Sequence, residues 1–340
     1  MADVIIRVAM QVKDTGEFRL IELLIEVLDT QDPSDAGKLT VSAGDDAAAW
    51  SGPAGTTVMT TDTLVEGVHF DLARTSWRDL GWKSVAVNLS DIAAMGCEPA
   101  YSVVTLGLHG DIPVDGLIDM YRGMVEASSR YGGVLVGGDV VRSTAFFVTV
   151  AMTGTAESGE RPLLTRRAAR PGDKVAVTGS LGSSAGGLKV LAEGPASDVE
   201  GAARLRAAHN RPEPRVREGA LLRRHGVEAA IDISDGLIDD LGKLCKASGV
   251  GARVHADALP VDGALRAIFP QEWRDLALSG GEDYELLFVA SPQVMARAMS
   301  ALDVPAAVIG EIVTEAEGVA VLDGSGAPIA VDQGGWDHFR

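Results

Sequence analysis

Aspartates recur along the chain inside short motifs rich in glycine, serine or threonine. They are Asp45 and Asp46 in GDDAA, Asp62 in TTDTLVEGVHF, Asp91 in NLSDIAAMG, Asp139 in GGDVVRS, and Asp232 with Asp235 in IDISDGL. Several of these stretches are otherwise apolar enough to be buried. A lone carboxylate taken out of water is costly, so each must be paired, protonated or bound to metal. Lysine and arginine are scarce around the motifs, which favours metal. Oxygen donors from Asp and Thr select hard cations, and Mg²⁺ usually brings phosphates with it. A carboxylate-lined site repels phosphate unless the charge of an ion lies between them. The pattern points to an enzyme that handles nucleotide phosphates through several magnesium ions.

Each motif also has a plainer reading. On a strand, Thr60 and Asp62 share a face by the period of two and make one edge of a Mg²⁺ site. A strand end turning at Glu66-Gly67 is the alternative. Asp91 is surrounded by alanine, valine and leucine in VAVNLSDIAAMG and needs a partner, unless it shares a narrow exposed stripe with Asn88. Asp139 follows two glycines that let backbone approach a ligand closely; local backbone hydrogen bonding in a turn explains it equally well. Asp232 and Ser234 alternate on a strand while Asp235 enters a helix N-terminus, a natural anion site flanked by cation-binding carboxylates. Capping of that helix by Ser234 is compatible with this role. GSLGSSAGG, residues 179–187, looks like a phosphate-cradling turn, lacks the GxxxxGK[ST] pattern, and reads as mostly structural. The six histidines form no HxxxH or HExxH pattern, which argues against zinc chemistry. Taken alone, His69 and Trp336 read as structural residues.

The elements that must position these residues follow from periodicity. A helix is expected over 17–28, from the spacing of Leu20, Leu23, Leu24, Val27 and Leu28. Strands are expected at 57–63 and 101–108, both rich in β-branched residues. Between them Ser76, with Asp79 three residues on, opens a helix that runs to Met95 and stops at Gly96. A second helix fits 114–131, followed by strands at 134–137 and 145–155. The basic stretch RPLLTRRAARPGD, residues 161–173, breaks the composition and marks a domain boundary. We expect a leader over 1–15, an N-terminal domain over 16–160 and a C-terminal domain over 161–340. The second half opens with a strand at 174–178 and a helix reaching about Leu191. A strand and a Ser234-capped helix come next, the helix carrying a stripe of Leu237, Leu241 and Leu244. Strands near 284–289, 306–312 and 318–322 complete it. The fold class is α/β (α+β), in two mixed domains.

Composition narrows the class further. The 340 residues carry 48 acidic against 30 basic side chains, a net charge of −18, which argues against nucleic acid or an anionic membrane as partner. Cys97 and Cys245 lie far apart with no metal-ligand spacing, which points to a reducing, cytoplasmic setting. No apolar run approaches the ~18–20 residues needed to span a bilayer. Charges interrupt the apolar stretch of the first residues, so they lack a signal-peptide profile.

Taken together and in order, these motifs resemble the thiamine-monophosphate kinase family, of the aminoimidazole ribonucleotide synthetase-like ATP-binding superfamily. The resemblance runs from about Gly16 to Phe339 through GEFRLI, GDDAA, TTDTLVEGVHF, VAVNLSDIAAMG, GGD, TRRAARPGD, VTGSLGSSAGGL, RPEPRV, AIDISDGLIDDLG, LSGGEDYELLF and WDHF. It implies ATP-dependent phosphorylation of thiamine monophosphate to thiamine diphosphate. Carried over, metal ligands fall on Asp46, Thr60, Thr61, Asp62, Asp91, Asp139, Asp232 and Asp235. ATP contacts fall on Tyr121, Gly138, Asp139, Arg166 and Ser234, and substrate contacts on His69, Glu282 and Trp336. Asp62, Asp139, Arg166 and Asp235 would carry catalysis. The resemblance also implies a homodimer whose N-terminal domains pair their sheets. Ser42-Ala43 departs from the apolar residue and glycine usual before GDD, and residues 1–15 have no counterpart.

Overall fold

The computed structural model describes residues 39–41, 48–52, 55–157, 161–193 and 200–331. The leader, the helix expected over 17–28, Asp45, Asp46 and Trp336 lie outside them.

The first sheet has six strands among the described residues: β1 (Leu39–Val41), β2 (Ala48–Gly52), β3 (Gly55–Val65), β4 (Glu98–Leu108), β5 (Val134–Arg142) and β6 (Phe147–Glu157). Their order is β1-β2-β3-β6-β4-β5. β3 runs antiparallel to β6 without a register break, from Gly55 opposite Glu157 to Val65 opposite Phe147. β4 and β5 are parallel. Such a pair needs a crossover, supplied by α2 (Val114–Tyr131). The alternation of β-branched residues turns Val58, Leu64, Val104, Val148 and Val150 toward the core. The opposite face leaves Met59, Tyr101, Val103, Val134 and Val141 exposed.

The helix expected from Ser76 is α1 (Trp77–Ala94), and the Ser76 hydroxyl accepts the Asp79 N–H at 3.1 Å. It ends as expected beside Gly96, whose φ of +67° suits glycine. α1 is buried nearly all round. A helix apolar on every side belongs inside a protein, and α1 packs on the first sheet, on α2 and on the second half. At Gly81 and Gly123 the two helices meet backbone to backbone, since a Cβ at either position would collide with Met120 O or Arg78 O.

The second half contains β7 (Lys174–Thr178), α3 (Ser183–Glu193), α4 (Ala202–Asn210), α5 (Val216–Arg224), β8 (Ala229–Asp232) and α6 (Leu237–Ser248). β9 (Val250–His255), α7 (Gly263–Ile268), α8 (Trp273–Ser279), β10 (Leu286–Ala290) and α9 (Pro292–Ala301) follow, then β11 (Ala306–Thr314), β12 (Val319–Leu322) and β13 (Pro328–Ile329). The sheet order is β13-β12-β9-β11-β7-β10-β8. Leu237, Leu241 and Leu244 form the buried stripe of α6. The strand expected at 284–289 begins only at Leu286, because Glu282 and Tyr284 just before it have φ of +64° and +51°. β5 continues through Gly137, Gly138 and Asp139 to Arg142, so Asp139 lies on a strand, not in a turn.

Candidate active site

β3 and α1 supply the first part of the site. Thr60 is buried and its hydroxyl donates to the Asp91 carboxylate, joining strand to helix. Asp62 lies on the same side of β3, half-buried, whereas the exposed Thr61 points the other way and donates to Val150 O at 3.0 Å. Asn88 does not share an exposed stripe with Asp91: it is buried, its side-chain amide donating to Ser84 O at 3.1 Å. Beyond β3 the chain turns back, and the Val65 N–H donates to His69 Nδ1 at 3.0 Å. That bond puts the proton of a neutral imidazole on Nε2.

β8 and the turn after it supply the second part. Asp232 is buried, and Ser90, the neighbour of Asp91 on α1, donates its hydroxyl to it at 2.7 Å. Two successive residues of α1 therefore tie it to both halves: Asp91 takes the Thr60 hydroxyl of the first, and Ser90 donates to the Asp232 carboxylate of the second. The expected capping of α6 by Ser234 is not what forms. The helix starts after Gly236, at φ +110°, and the Asp240 carboxylate accepts the Ser234 and Asp235 N–H groups at 2.9 and 3.0 Å. A carboxylate one turn inside the helix outcompetes the serine hydroxyl for the exposed amides. Lys243 pairs with Asp235 and lies 3.0 Å from Asp239 and 2.9 Å from Asp240. Burial pushes the Asp240 carboxyl up to about 7, against the pull of Lys243.

The loop before β10 closes the site. Glu282 donates its N–H to Ser234 O at 2.7 Å, and Tyr284 donates its own to Ile233 O at 2.9 Å. The Glu282 carboxylate lies 2.8 Å from Lys83 Nζ and 3.4 Å from His209 Nδ1. Burial works against its charge, but Lys83, His209 and His69 outweigh that and hold the carboxyl below its usual range. The phenol of Tyr284 is raised well above its ordinary value by burial, then by Glu282, Asp62, Asp232 and Asp235. Tyr284 is buried, and the acidic residues that bear on its phenol come from both halves.

Asp283 settles the glycine-rich turn. Its carboxylate accepts the Gly182 and Ser184 N–H groups at 2.6 and 3.0 Å, at the start of α3. The amides that would cradle a phosphate are occupied by the chain itself, and the structural reading of GSLGSSAGG holds. Glu285, two residues further on, is held by Arg215 at 2.5 and 2.6 Å and by the Thr178 hydroxyl at 2.6 Å.

The remaining candidates lie elsewhere on the chain. Gly138 and Asp139 are on β5, three strands and about 14 Å across the sheet from β3; Asp139 accepts the Val140 N–H at 2.8 Å. Tyr121 is on the exposed side of α2, in a shallow groove with Arg78, Leu117, Ile118 and Val125. Arg166 precedes β7, its carbonyl accepting the Ser248 hydroxyl at 2.6 Å. Ser248 ends α6, about 18 Å of helix from the turn that carries Asp235.

Sequence reasoning missed Lys83, His209, Asp240, Lys243, Asp283 and Tyr284. Two had a usable signal: Lys83 is the one cation in the apolar run LGWKSVAVNL, and Lys243 falls three and four residues after Asp240 and Asp239.

Residues 44–156 match the AIR synthase related protein family, N-terminal domain, and residues 170–323 match its C-terminal domain. The chain is 38% identical over 331 residues to the thiamine-monophosphate kinase of Escherichia coli (strain K12), covering 95% of this chain and 98% of that protein. It is 37% identical over 308 residues to the thiamine-monophosphate kinase of Bacillus subtilis (strain 168), covering 88% and 94%. A solved structure of AaThiL complexed with AMPPCP and TMP matches it with a TM-score of 0.84 at 31% identity, over 97% of this chain and 99% of that one. With its paired aspartate motifs and this likeness along nearly its whole length, the chain belongs to the thiamine-monophosphate kinase family.

Proposed function

We propose that this protein transfers the γ-phosphate of ATP to thiamine monophosphate, giving thiamine diphosphate and ADP. The observation that carries the reading is the meeting of acidic residues from both halves at α1, where Asp91 takes the Thr60 hydroxyl and Ser90 holds Asp232, with Asp62 on the Thr60 side of β3. It is supported by the kinases at 37–38% identity and by a related structure holding an ATP analogue together with TMP.

The donor set suits Mg²⁺: Thr60, Asp62, Asp91, Asp232 and Asp235 offer hard oxygens, and a divalent cation would offset the charge of the carboxylates. Asp46, Thr61 and Asp139 complete the proposed ligand set. When bound, Mg²⁺ offsets the charge of the phosphates beside these carboxylates. The protein's own task is then to align two polyanions. The acceptor is a phosphate monoester with a second pKa of ~6, already a nucleophilic dianion at neutral pH, and needs no general base. Asp62, Asp139 and Asp235 position the phosphates, and Arg166 supplies fixed positive charge to the transferred group. Tyr121, Gly138, Asp139, Arg166 and Ser234 hold the nucleotide, while His69, Glu282 and Trp336 hold the acceptor.

We infer a homodimer built on the open face of the first sheet, supported by the exposure of Met59, Tyr101, Val103, Val134 and Val141. Pairing there offers a route by which Asp139 of one protomer serves the carboxylates of its partner. The division of the chain near residue 161, and the cytoplasm as its setting, belong to the same reading. Among the described residues no helix is long and apolar enough to cross a membrane.

ADP release from Mg-ATP in the presence of thiamine monophosphate, compared with thiamine and with no acceptor, tests the activity. Release that does not depend on thiamine monophosphate rejects it. Trp336→Ala is expected to raise the acceptor KM roughly 3- to 30-fold by removing an indole face from a cationic ring. The ATP KM should hardly change.

A further inference from the structure

We propose that Lys83 is a positioning residue for the acceptor: its buried ammonium fixes the Glu282 carboxylate for the cationic ring of the phosphate acceptor. The proposal rests on the reading of Glu282 as an acceptor contact. Lys83 sits on α1 among Trp82, Val85, Ala86 and Val87, all buried, and is itself 1% exposed. A buried ammonium is tolerated only with a well-placed partner. That partner comes from the other half of the molecule, Glu282 Oε1 at 2.8 Å.

Glu282 is held from both ends. Its backbone has a φ of +64°, which side chains other than glycine disfavour, and its N–H is fixed on Ser234 O at 2.7 Å. Its second carboxylate oxygen faces His209 Nδ1 at 3.4 Å, and His209 is in turn fixed by the Ser184 hydroxyl at 3.1 Å. His209 is buried, and burial and then Lys83 push it down to about 4, so it is neutral near pH 7. The full positive charge on Glu282 near pH 7 therefore includes Lys83. The side chain of Glu282 is 27% exposed and that of Lys83 only 2%. A ligand can reach the carboxylate and not the ammonium, so Lys83 acts through Glu282. One oxygen is held by the lysine, and the carboxylate stays ionised and aimed for an organic cation.

A double-mutant cycle on the full-length protein tests this, read as the KM for thiamine monophosphate, the KM for ATP, kcat and Tm. Lys83→Met is expected to raise the acceptor KM at least tenfold, with the ATP KM within twofold and kcat within threefold. In a Glu282→Gln background, Lys83→Met should add less than twofold, because residues acting through one contact are not additive. Should the single lysine variant fail to fold, the comparison of Lys83→Met/Glu282→Gln with Glu282→Gln still decides. Equal acceptor KM values support the proposal; a further rise of fivefold or more overturns it. An active wild type whose acceptor KM is unmoved by Lys83→Met overturns this proposal alone. A wild type without turnover on thiamine monophosphate overturns the functional reading and this inference with it.

Discussion

The carboxylates on or beside α1 and those around the start of α6 are satisfied by different means. Asp91 accepts the Thr60 hydroxyl and Asp232 the Ser90 hydroxyl. Asp235, Asp239 and Asp240 share the ammonium of Lys243. A hydroxyl orients a carboxylate without cancelling its charge; an ammonium does both. The first arrangement leaves negative charge for a ligand to meet. The second holds a dense acidic cluster together, Asp235, Asp239 and Asp240 lying within 4.8 Å of one another around one lysine, and a single ammonium offsets only part of the charge of three carboxylates.

Substitutions in the two regions should therefore fail differently. Asp62→Asn, on the ligand-facing side, is expected to lower kcat by about 10³-fold while leaving Tm unchanged, the scale of removing a major electrostatic contact. Activity within threefold of wild type would remove Asp62 from the metal site. Lys243→Met should act first on stability, costing about 3 kcal/mol in urea unfolding because it strands the buried Asp240. An unchanged midpoint would show that Lys243 is not what holds the cluster.

Asp283, satisfied by backbone amides, offers a pH-dependent contrast. Burial raises its carboxyl to about 7, so between the ordinary carboxyl range and that value the folded state binds the extra proton. Its contribution is greatest at low pH and is lost as pH rises toward 7. Relative to Asp283→Asn, wild type should lose about 2 kcal/mol of stability between pH 5 and pH 7. Parallel stability curves for the two proteins would contradict this. The smallest effect is expected at Ser90→Ala, about 1.5 kcal/mol for one hydrogen bond from a hydroxyl to the Asp232 carboxylate, measurable as a lowered urea midpoint. A loss above about 3 kcal/mol would mean that Ser90 bears more than orientation.

Elements with strong local signals are legible in the amino-acid sequence. The helix at 114–131 and the strand at 174–178 have the bounds that periodicity and turn residues imply, and Ser76 caps α1 as its spacing with Asp79 predicts. Where two local side chains compete, the pattern misleads: Ser234 is the conventional cap, yet Asp240 takes the amides. The site divides in the same way. Thr60, Asp62, Asp91, Asp232 and Asp235 stand out because carboxylates in apolar or glycine-rich runs are unusual. Lys83, His209 and Tyr284 do not, because each matters through a partner more than 70 residues away. Only tertiary packing creates those pairs.

The glycines at 81 and 123 bear on how this fold can be rebuilt. Each lets its helix press on the other's main chain near Met120 and Arg78, so the surfaces of α1 and α2 are cut to a shared template rather than to interchangeable side chains. A chimaera that swaps one helix for a relative's segment keeps its function only if the donor helix brings a glycine at the same height. Recombination crossovers between residues 95 and 113 should therefore yield mostly inactive progeny, and blocks spanning 77–131 mostly viable ones. The two helices are inherited as one part.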